Sequence, residues 1–275
     1  MESLLKLPVA CGANIRILQI TDTHLFASKH DTLLGVKTFY SYNAVLDAVQ
    51  ATDDHFDLVV VTGDLAQDYS PNAYRHFASG MTRLPAPCVW LPGNHDYQPV
   101  MVNILAEYGI SPAKQVIMGE NWQLLLLDSQ VYGVPYGKLS DYQLKWLVKI
   151  LVQQPLRHTI LLLHHHPCPS GSIWLDQHRL GNAHRLAEVL QQHPLVHTLL
   201  CGHIHQELDV NWQGRRVLAS PSTCVQFKPH HTSFTIDTVG PGWRYLDLTL
   251  EGDVYTEVRR LTSHEYLPDI NNEGY

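Results

Sequence analysis

The sequence predicts an α/β protein built from two packed mixed sheets with helices on their outer faces. Three observations predict it. Up to Cys201, short apolar runs alternate with segments of helical period, the rhythm of β-α-β units. Beyond Gly202 the helical period disappears and short strands separated by turn signals take over. Finally, five of the apolar runs end in the same chemistry, with a histidine, a carboxylate or an asparagine just past the run. At 275 residues, 45% of them hydrophobic, a single domain over 1–275 with a full core is expected.

After a short lead-in at 1–14, the apolar run at 15–20 reads as the first strand, followed by a long polar loop from Thr21 to about Tyr40. Loops of that length are often functional. Tyr42, Val45, Leu46 and Val49 share one face of a helix predicted over 41–54. The second strand is 57–62. Ser70 and Pro71 then supply an N-cap and a first helical residue for a helix running to about 83. Pro85 and Pro87 precede strand three at 88–92, and a helix over 98–108 is stopped by Gly109. The segment 122–128 is a nearly continuous apolar strand. Ser140-x-x-Gln143 forms a capping box for a helix reaching 154, with Leu144, Leu147, Ile150 and Leu151 on its buried face. Strand five at 159–163 leads into an irregular, Pro/Gly/Ser-rich segment at 167–181, a helix over 182–192 and the strand that ends at Cys201. Short strands follow at 207–212, 216–219, 232–237, 243–248 and 254–261, with turns at Gln213-Gly214 and Glu251-Gly252-Asp253. The chain thus divides into a βα part over about 15–205, a β-rich part over about 206–262, and a polar tail, 264–275, expected to be loosely held.

The formal net charge of −7 and the lack of a basic stripe argue against a nucleic-acid partner. They leave room for an anionic substrate, because bound dications dominate the field of a site. No apolar run approaches the roughly 20 residues of a membrane span, and no signal-peptide pattern opens the chain. The five cysteines (Cys11, Cys88, Cys168, Cys201 and Cys224) are odd in number and form no Cys-x-x-Cys, so they read as core residues of a reducing compartment. A cytoplasmic protein without a membrane partner is expected. No heptad is present, and the oligomeric state is left open.

The chemistry sits at the run ends. In Gly202-His203-Ile204-His205, two histidines one residue apart direct their imidazoles at neighbouring points, and Gly202 allows a tight turn and close approach. Asp22 and His24 follow the first strand, Gly63-Asp64 the second, Gly93-Asn94-His95-Asp96 the third, and His164-His165-His166 the fifth. Ligands of open α/β sheets bind beyond the carboxyl ends of the strands. The candidate metal ligands are Asp22, His24, Asp64, Asn94, His164, His203 and His205. Two carboxylates, one amide and four imidazoles, with no thiolate, suit first-row ions such as Mn, Fe, Zn, Co or Ni. Seven ligands exceed one tetrahedral ion and fit two ions sharing a carboxylate. Two ions about 3.5–4 Å apart clamp phosphorus for in-line displacement, and a water between them loses its proton near neutral pH. His95 is not needed as a ligand and is the candidate general acid or phosphate clamp, with Asn94 beside it on the phosphoryl oxygens.

Other residues read more plainly. Asp68 is a loop or cap residue, Asp96 orients a neighbour, and Asp128 is a candidate acceptor behind a ligand histidine. His178, His184, His193, His197, His230 and His231 read as surface or supporting residues. Trp174, Asp176, His178 and Arg179 form either the wall of a nucleotide pocket, with an aromatic face against the base, or a surface lid without contact. The same alternatives stand for Phe26 and for Gln226-Phe227-Lys228.

Asp22-x-His24, Gly63-Asp64, Gly93-Asn94-His95-Asp96, His164 and Gly202-His203-x-His205, in that order, resemble the calcineurin-like metallophosphoesterase superfamily. The resemblance implies a four-layer α/β/β/α sandwich. It also implies one metal held by Asp22, His24, Asp64 and His205 and a second held by Asp64, Asn94, His164 and His203, with Asp64 bridging. Three histidines stand at 164–166 where members of the family often show two followed by proline. Register on Pro167 places the ligand at His164, and a one-residue shift places it at His165. In an extended strand the two point to opposite faces.

Longer stretches are similar to the class III cyclic nucleotide phosphodiesterases of that superfamily. They are the opening Met-Glu-Ser-Leu-Leu, Leu18-Gln-Ile-Thr-Asp-Thr-His-Leu-Phe26, Cys88-Val-Trp-Leu-Pro-Gly-Asn-His-Asp96, Pro221-Ser-Thr-Cys-Val-Gln-Phe-Lys-Pro229 and the closing Glu-Gly-Tyr. This implies a binuclear enzyme, with iron and/or manganese, that hydrolyses 3′,5′-cyclic AMP to 5′-AMP by attack of a metal-bridging hydroxide. His24, Asp64, Asn94, His95 and His205 would contact the substrate. The alternatives are the same site acting on another phosphodiester or a phosphomonoester, and a non-catalytic scaffold of this fold. Loss of a ligand would favour the scaffold, and no ligand is missing.

Overall fold

A computed structural model describes residues 3–10, 12–52, 54–110 and 112–269. Leu58–Val61 is buried on both faces, which is why its sequence, Leu-Val-Val-Val, shows no alternation. It pairs in parallel with Ile15–Ile20 on one side and Cys88–Trp90 on the other, and Gly242–Leu248 and Val254–Arg260 complete a five-stranded mixed sheet. The second sheet has seven strands in the order Leu4–Leu7, Gln115–Met118, Trp122–Leu126, His158–Leu162, Val196–Cys201, Arg215–Ala219, Leu208–Trp212.

The sheets face one another across a core that includes Ile17, Leu58 and Val60 from one and Trp122, Leu124, Ile160 and Leu162 from the other. The outer face of the five-stranded sheet is covered by the helices Thr38–Ala51, Pro71–Met81 and Gln98–Glu107, which set Tyr42, Val45, Phe77 and Met101 against Leu18, Val59 and Val61. The helices Asp141–Gln153 and Ala183–Gln191 cover the seven-stranded sheet, where Leu147, Leu151, Leu186 and Leu190 meet Leu125, Leu161 and Leu199. The layers run α/β/β/α, the architecture expected from the sequence.

Local signals act largely as written. The Ser70 hydroxyl accepts the Ala73 N–H at 3.1 Å with Pro71 behind it. The Ser140 hydroxyl accepts the Gln143 N–H at 3.2 Å, but the reciprocal half of that capping box is absent. Gln143 instead turns its amide to the backbone of Asp128, fastening the helix to the end of a strand. Several strands were not anticipated. Leu4–Leu7 and Gln115–Met118 pair in parallel with each other, and in both the side chains alternate between more and less covered. The expected 232–237 strand shrinks to Ile236–Asp237, paired with Gln226–Phe227. A small hairpin, Thr32–Leu33 with Val36–Lys37, interrupts the long loop, and the next helix starts at Thr38 instead of 41. Within the expected tail, His264–Tyr266 forms a 3₁₀ turn and the Asp269 N–H donates to Leu34 O at 2.9 Å, while 270–275 lies outside the described residues. Among the described residues, no helix is long and apolar enough to cross a membrane.

Candidate metal centre

The parallel strands of both sheets release their C-terminal ends at one edge. The loops after Ile15–Ile20 and Leu58–Val61 run side by side there, with Asp22 N–H donating to Gly63 O and His24 N–H to Asp64 O, both at 3.0 Å. Five of the seven candidate ligands hold left-handed backbone: Asp22 (φ 53°), His24 (44°), Asp64 (54°), His203 (71°) and His205 (49°). For non-glycine residues this costs of order 1 kcal/mol each and persists where surrounding structure enforces it. It turns each side chain out of the strand end into a common space.

Gly93 and Gly202 answer a different demand. A Cβ on Gly93 would overlap the Asp64 carboxylate and backbone, and one on Gly202 would overlap Thr21 and Asp22. Gly93→Ala is therefore expected to displace Asp64. Metal affinity should fall at least about tenfold, the usual loss when a supporting contact is disturbed. Metal content after dialysis checks this, with circular dichroism reporting that the fold is retained.

The structure brings all seven candidates together in two groups that share one oxygen. In the first, His205 Nε2 is 3.5 Å from Asp22 Oδ1 and 3.1 Å from His24 Nε2, and His24 Nε2 is 3.8 Å from Asp64 Oδ2. In the second, His164 Nε2 lies 3.2 Å from the same Asp64 Oδ2, 3.1 Å from Asn94 Oδ1 and 3.2 Å from His203 Nδ1. Neighbouring donors on one ion at bond lengths of about 2.1 Å stand about 3–3.4 Å apart, so this spacing suits coordination. The other Asp64 oxygen, Oδ1, accepts the His95 N–H at 2.8 Å, which holds the carboxylate in orientation.

The histidine tautomers point the same way. His164 Nδ1 is 2.7 Å from Thr62 O, His205 Nδ1 is 2.9 Å from Val225 O, and His24 Nδ1 is 2.7 Å from Gln67 Oε1. Oxygens of these kinds only accept, so each Nδ1 carries a proton and each Nε2 is the nitrogen left for a cation. His24 Nε2 and His205 Nε2 then face each other with no hydrogen between them, an arrangement that a cation stabilises. Asp22 and His164 are fully buried and Asp64 is 1% exposed. Among the described residues neither carboxylate has a Lys or Arg ion-pair partner. Buried anions need such compensation, and the donor set fits two cations.

Proton affinities agree. Burial holds the His24 imidazole down to about 3, against the pull of Asp64. At His164 burial also acts against charge, yet the Asp64 carboxylate outweighs it and raises the imidazole to about 9. A pocket that draws a proton this strongly also draws a metal ion, which binds by displacing that proton.

His95 and Asn94 are half-buried in the loop after Cys88–Trp90, and the His95 ring meets His24 edge-on at 5.0 Å. Asp96 behaves as read from sequence. It accepts from the N–H groups of Gly93, Leu65 and Ala66 at 2.9, 3.0 and 3.2 Å, locking two ligand loops together. Burial and the Asp64 charge push its carboxyl up to about 7. Asp68 accepts from the N–H groups of Ala27 and Ser70, a cap role.

Asp128 is a correction. It binds Gln98 and the Gln130 N–H and touches no ligand histidine, because its strand ends on the side of the Gln98 and Gln143 amides. The partners that do orient the histidines are Thr62 O, Val225 O and Gln67. Backbone carbonyls leave no mark in a sequence. A His165 nitrogen also lies within 4.8 Å of donor atoms of His164 and His203, but both its nitrogens have other partners, Nδ1 at 2.8 Å from Ser129 Oγ and Nε2 at 3.2 Å from Pro135 O. A cavity of about 530 Å³ opens over the centre, lined by Asp64, Asn94, His95 and His203 together with Trp174, Phe227 and Phe234. Phe26 does not line it.

Comparison with known proteins places this arrangement. The chain matches the calcineurin-like phosphoesterase family over residues 15–207. It is a calcineurin-like phosphoesterase. This phosphoesterase is 62% identical over 275 residues, the whole of both chains, to the Escherichia coli K12 protein named 3′,5′-cyclic adenosine monophosphate phosphodiesterase CpdA. It is 38% identical over 266 residues, 97% of each chain, to the Pseudomonas aeruginosa protein of the same name. Among solved structures, a dimetal phosphatase from Danio rerio superposes on the phosphoesterase with a TM-score of 0.59 at 15% identity, covering 88% of this chain and 98% of that one. That likeness is one of fold.

Proposed function

We propose that this protein is a binuclear metal phosphodiesterase that hydrolyses 3′,5′-cyclic AMP to 5′-AMP. The observation that carries the chemistry is the pair of donor groups meeting at Asp64 Oδ2, one formed by Asp22, His24 and His205 and the other by Asn94, His164 and His203. Full-length likeness to proteins named cyclic AMP phosphodiesterase supports the substrate. His164, not His165, serves as the ligand, a reading supported by the Ser129 and Pro135 contacts that occupy both His165 nitrogens. Iron or manganese suits a donor set of imidazole, carboxylate and amide without thiolate. When bound, two such ions acidify a water and neutralise charge gathering on the phosphoryl oxygens.

The chain's own residues do the rest. Asn94 and His95 hold the phosphoryl oxygens, and the His95 imidazole gives a proton to the departing 3′ oxygen, so the product keeps its phosphate on the 5′ position. The whole chain acts as one catalytic domain. The four described cysteines are free thiols, three of them buried, which supports the cytoplasm as its compartment.

Product analysis tests the proposal. With Mn²⁺ or Fe²⁺ present, 3′,5′-cyclic AMP is expected to yield 5′-AMP, with about two ions per chain by elemental analysis. Turnover of a generic aryl diester without turnover of the cyclic nucleotide would overturn the substrate assignment.

A further inference from the structure

The cavity over the metal centre has an aromatic wall. Trp174 meets Phe227 edge-to-face at 5.0 Å and Phe234 at 5.2 Å, and Phe227 and Phe234 meet at 5.5 Å. Phe227 also stacks on His205, with centroids 4.4 Å apart and planes 13° from parallel, so the wall begins directly on a candidate ligand. The remaining lining away from the centre is Pro135, Leu175 and His178, with no carboxylate, lysine or arginine. A volume of about 530 Å³ is ample for a small ligand.

The wall is also held in place from the metal side. Asp176 accepts from Ser170 N–H at 2.7 Å and Ser170 Oγ at 2.8 Å, and lies 3.4 Å from His166 Nε2. His166 in turn stacks at 5.7 Å on His203. These contacts tie the short helix Ile173–Asp176, which carries Trp174, to the centre. Within that frame the indole keeps freedom. Trp174 Nε1 is buried with no hydrogen-bond partner among the described residues, so tilting the ring toward an occupant breaks no bond.

We propose that Trp174 and Phe234, backed by the buried Phe227, form the nucleobase subsite, taking a planar, uncharged purine against the aromatic wall while its phosphate lies at Asn94 and His95. The proposal rests on the phosphodiesterase reading and adds how the nucleoside is held. Recognition is by the faces of the base, since the walls offer rings and no charge. Stacking of this kind on one aromatic ring changes affinity by about tenfold.

Calorimetry on the Mn²⁺-loaded protein tests this with 5′-AMP, ribose 5-phosphate and inorganic phosphate as probes. Wild-type protein is expected to bind 5′-AMP at least about tenfold tighter than ribose 5-phosphate. Trp174→Ala and Phe234→Ala should each shrink that ratio, and Trp174→Phe should restore most of it. For cyclic AMP hydrolysis, Trp174→Ala should raise KM more than it lowers kcat. An unchanged ratio in both alanine variants, or a wild-type ratio near one, overturns the subsite. A ratio that responds as expected in a protein that fails to hydrolyse cyclic AMP overturns the phosphodiesterase reading and leaves the subsite standing.

Discussion

Asp64→Ala is expected to abolish turnover and to strip both ions from the protein together. Asp64 Oδ2 approaches both donor groups, 3.8 Å from His24 Nε2 and 3.2 Å from His164 Nε2. Removing it takes a charged donor from each ion at once and also releases the His95 N–H from Oδ1. The first group keeps Asp22, His24 and His205, and the second keeps no carboxylate at all. Elemental analysis should show the fall from about two ions to well under one. Asp64→Asn keeps size and one oxygen donor while removing the charge, and is expected to fall between. Retention of both ions by Asp64→Ala would show that the shared oxygen is not a ligand.

The second large effect is expected at His95, with the opposite signature. The side chain lines the cavity beside Asn94, with a ring nitrogen within 4.8 Å of donor atoms of His24 and Asp64, and the backbone N–H supports Asp64. His95→Ala should therefore keep its ions and lower kcat for cyclic AMP by about 10²–10⁴-fold, the range for loss of a positioned acid. A p-nitrophenyl diester, whose leaving group departs without a proton, should lose much less. Equal losses on the two substrates would assign His95 to phosphate binding instead of proton transfer.

How much of this was legible in the sequence depends on where each signal was stored. The candidate ligands were legible because each follows a strand buried on both faces, such as Leu58–Val61, so a polar residue at its end stands out. The layer order followed from the switch at Gly202 from a βα rhythm to short strands. Leu4–Leu7 was not legible, since four half-covered residues carry too little pattern to separate a strand from a leader. The run at 164–166 was ambiguous because three identical side chains give no register. What distinguishes them is their neighbours, Thr62 O for His164, Ser129 and Pro135 for His165, and Asp176 for His166. The place of Asp128 was open for a related reason, as a carboxylate at a strand end left room for an acceptor role that Thr62 O, Val225 O and Gln67 fill instead. The two readings of the Trp174 segment needed the cavity, because only the fold brings residue 174 to residues 227 and 234.

The division of the ligands between the sheets has a mechanical consequence. Asp22, His24, Asp64 and Asn94 follow strands of the five-stranded sheet, whereas His164, His203 and His205 follow strands of the seven-stranded one. With the proposed ions in place, each therefore acts as a removable rivet joining the two halves at one rim. Gln19, reaching across to Cys201 O at 2.9 Å, is a permanent rivet beside them. A ligand present at 100 times its dissociation constant stabilises a fold by about 2.7 kcal/mol. Chelation should accordingly lower Tm by several degrees and hasten protease nicking in the loops at that rim, with Mn²⁺ restoring both. Where metal is scarce, this protein would then be lost by turnover of the chain as well as by silence of its site, so its abundance would track metal supply.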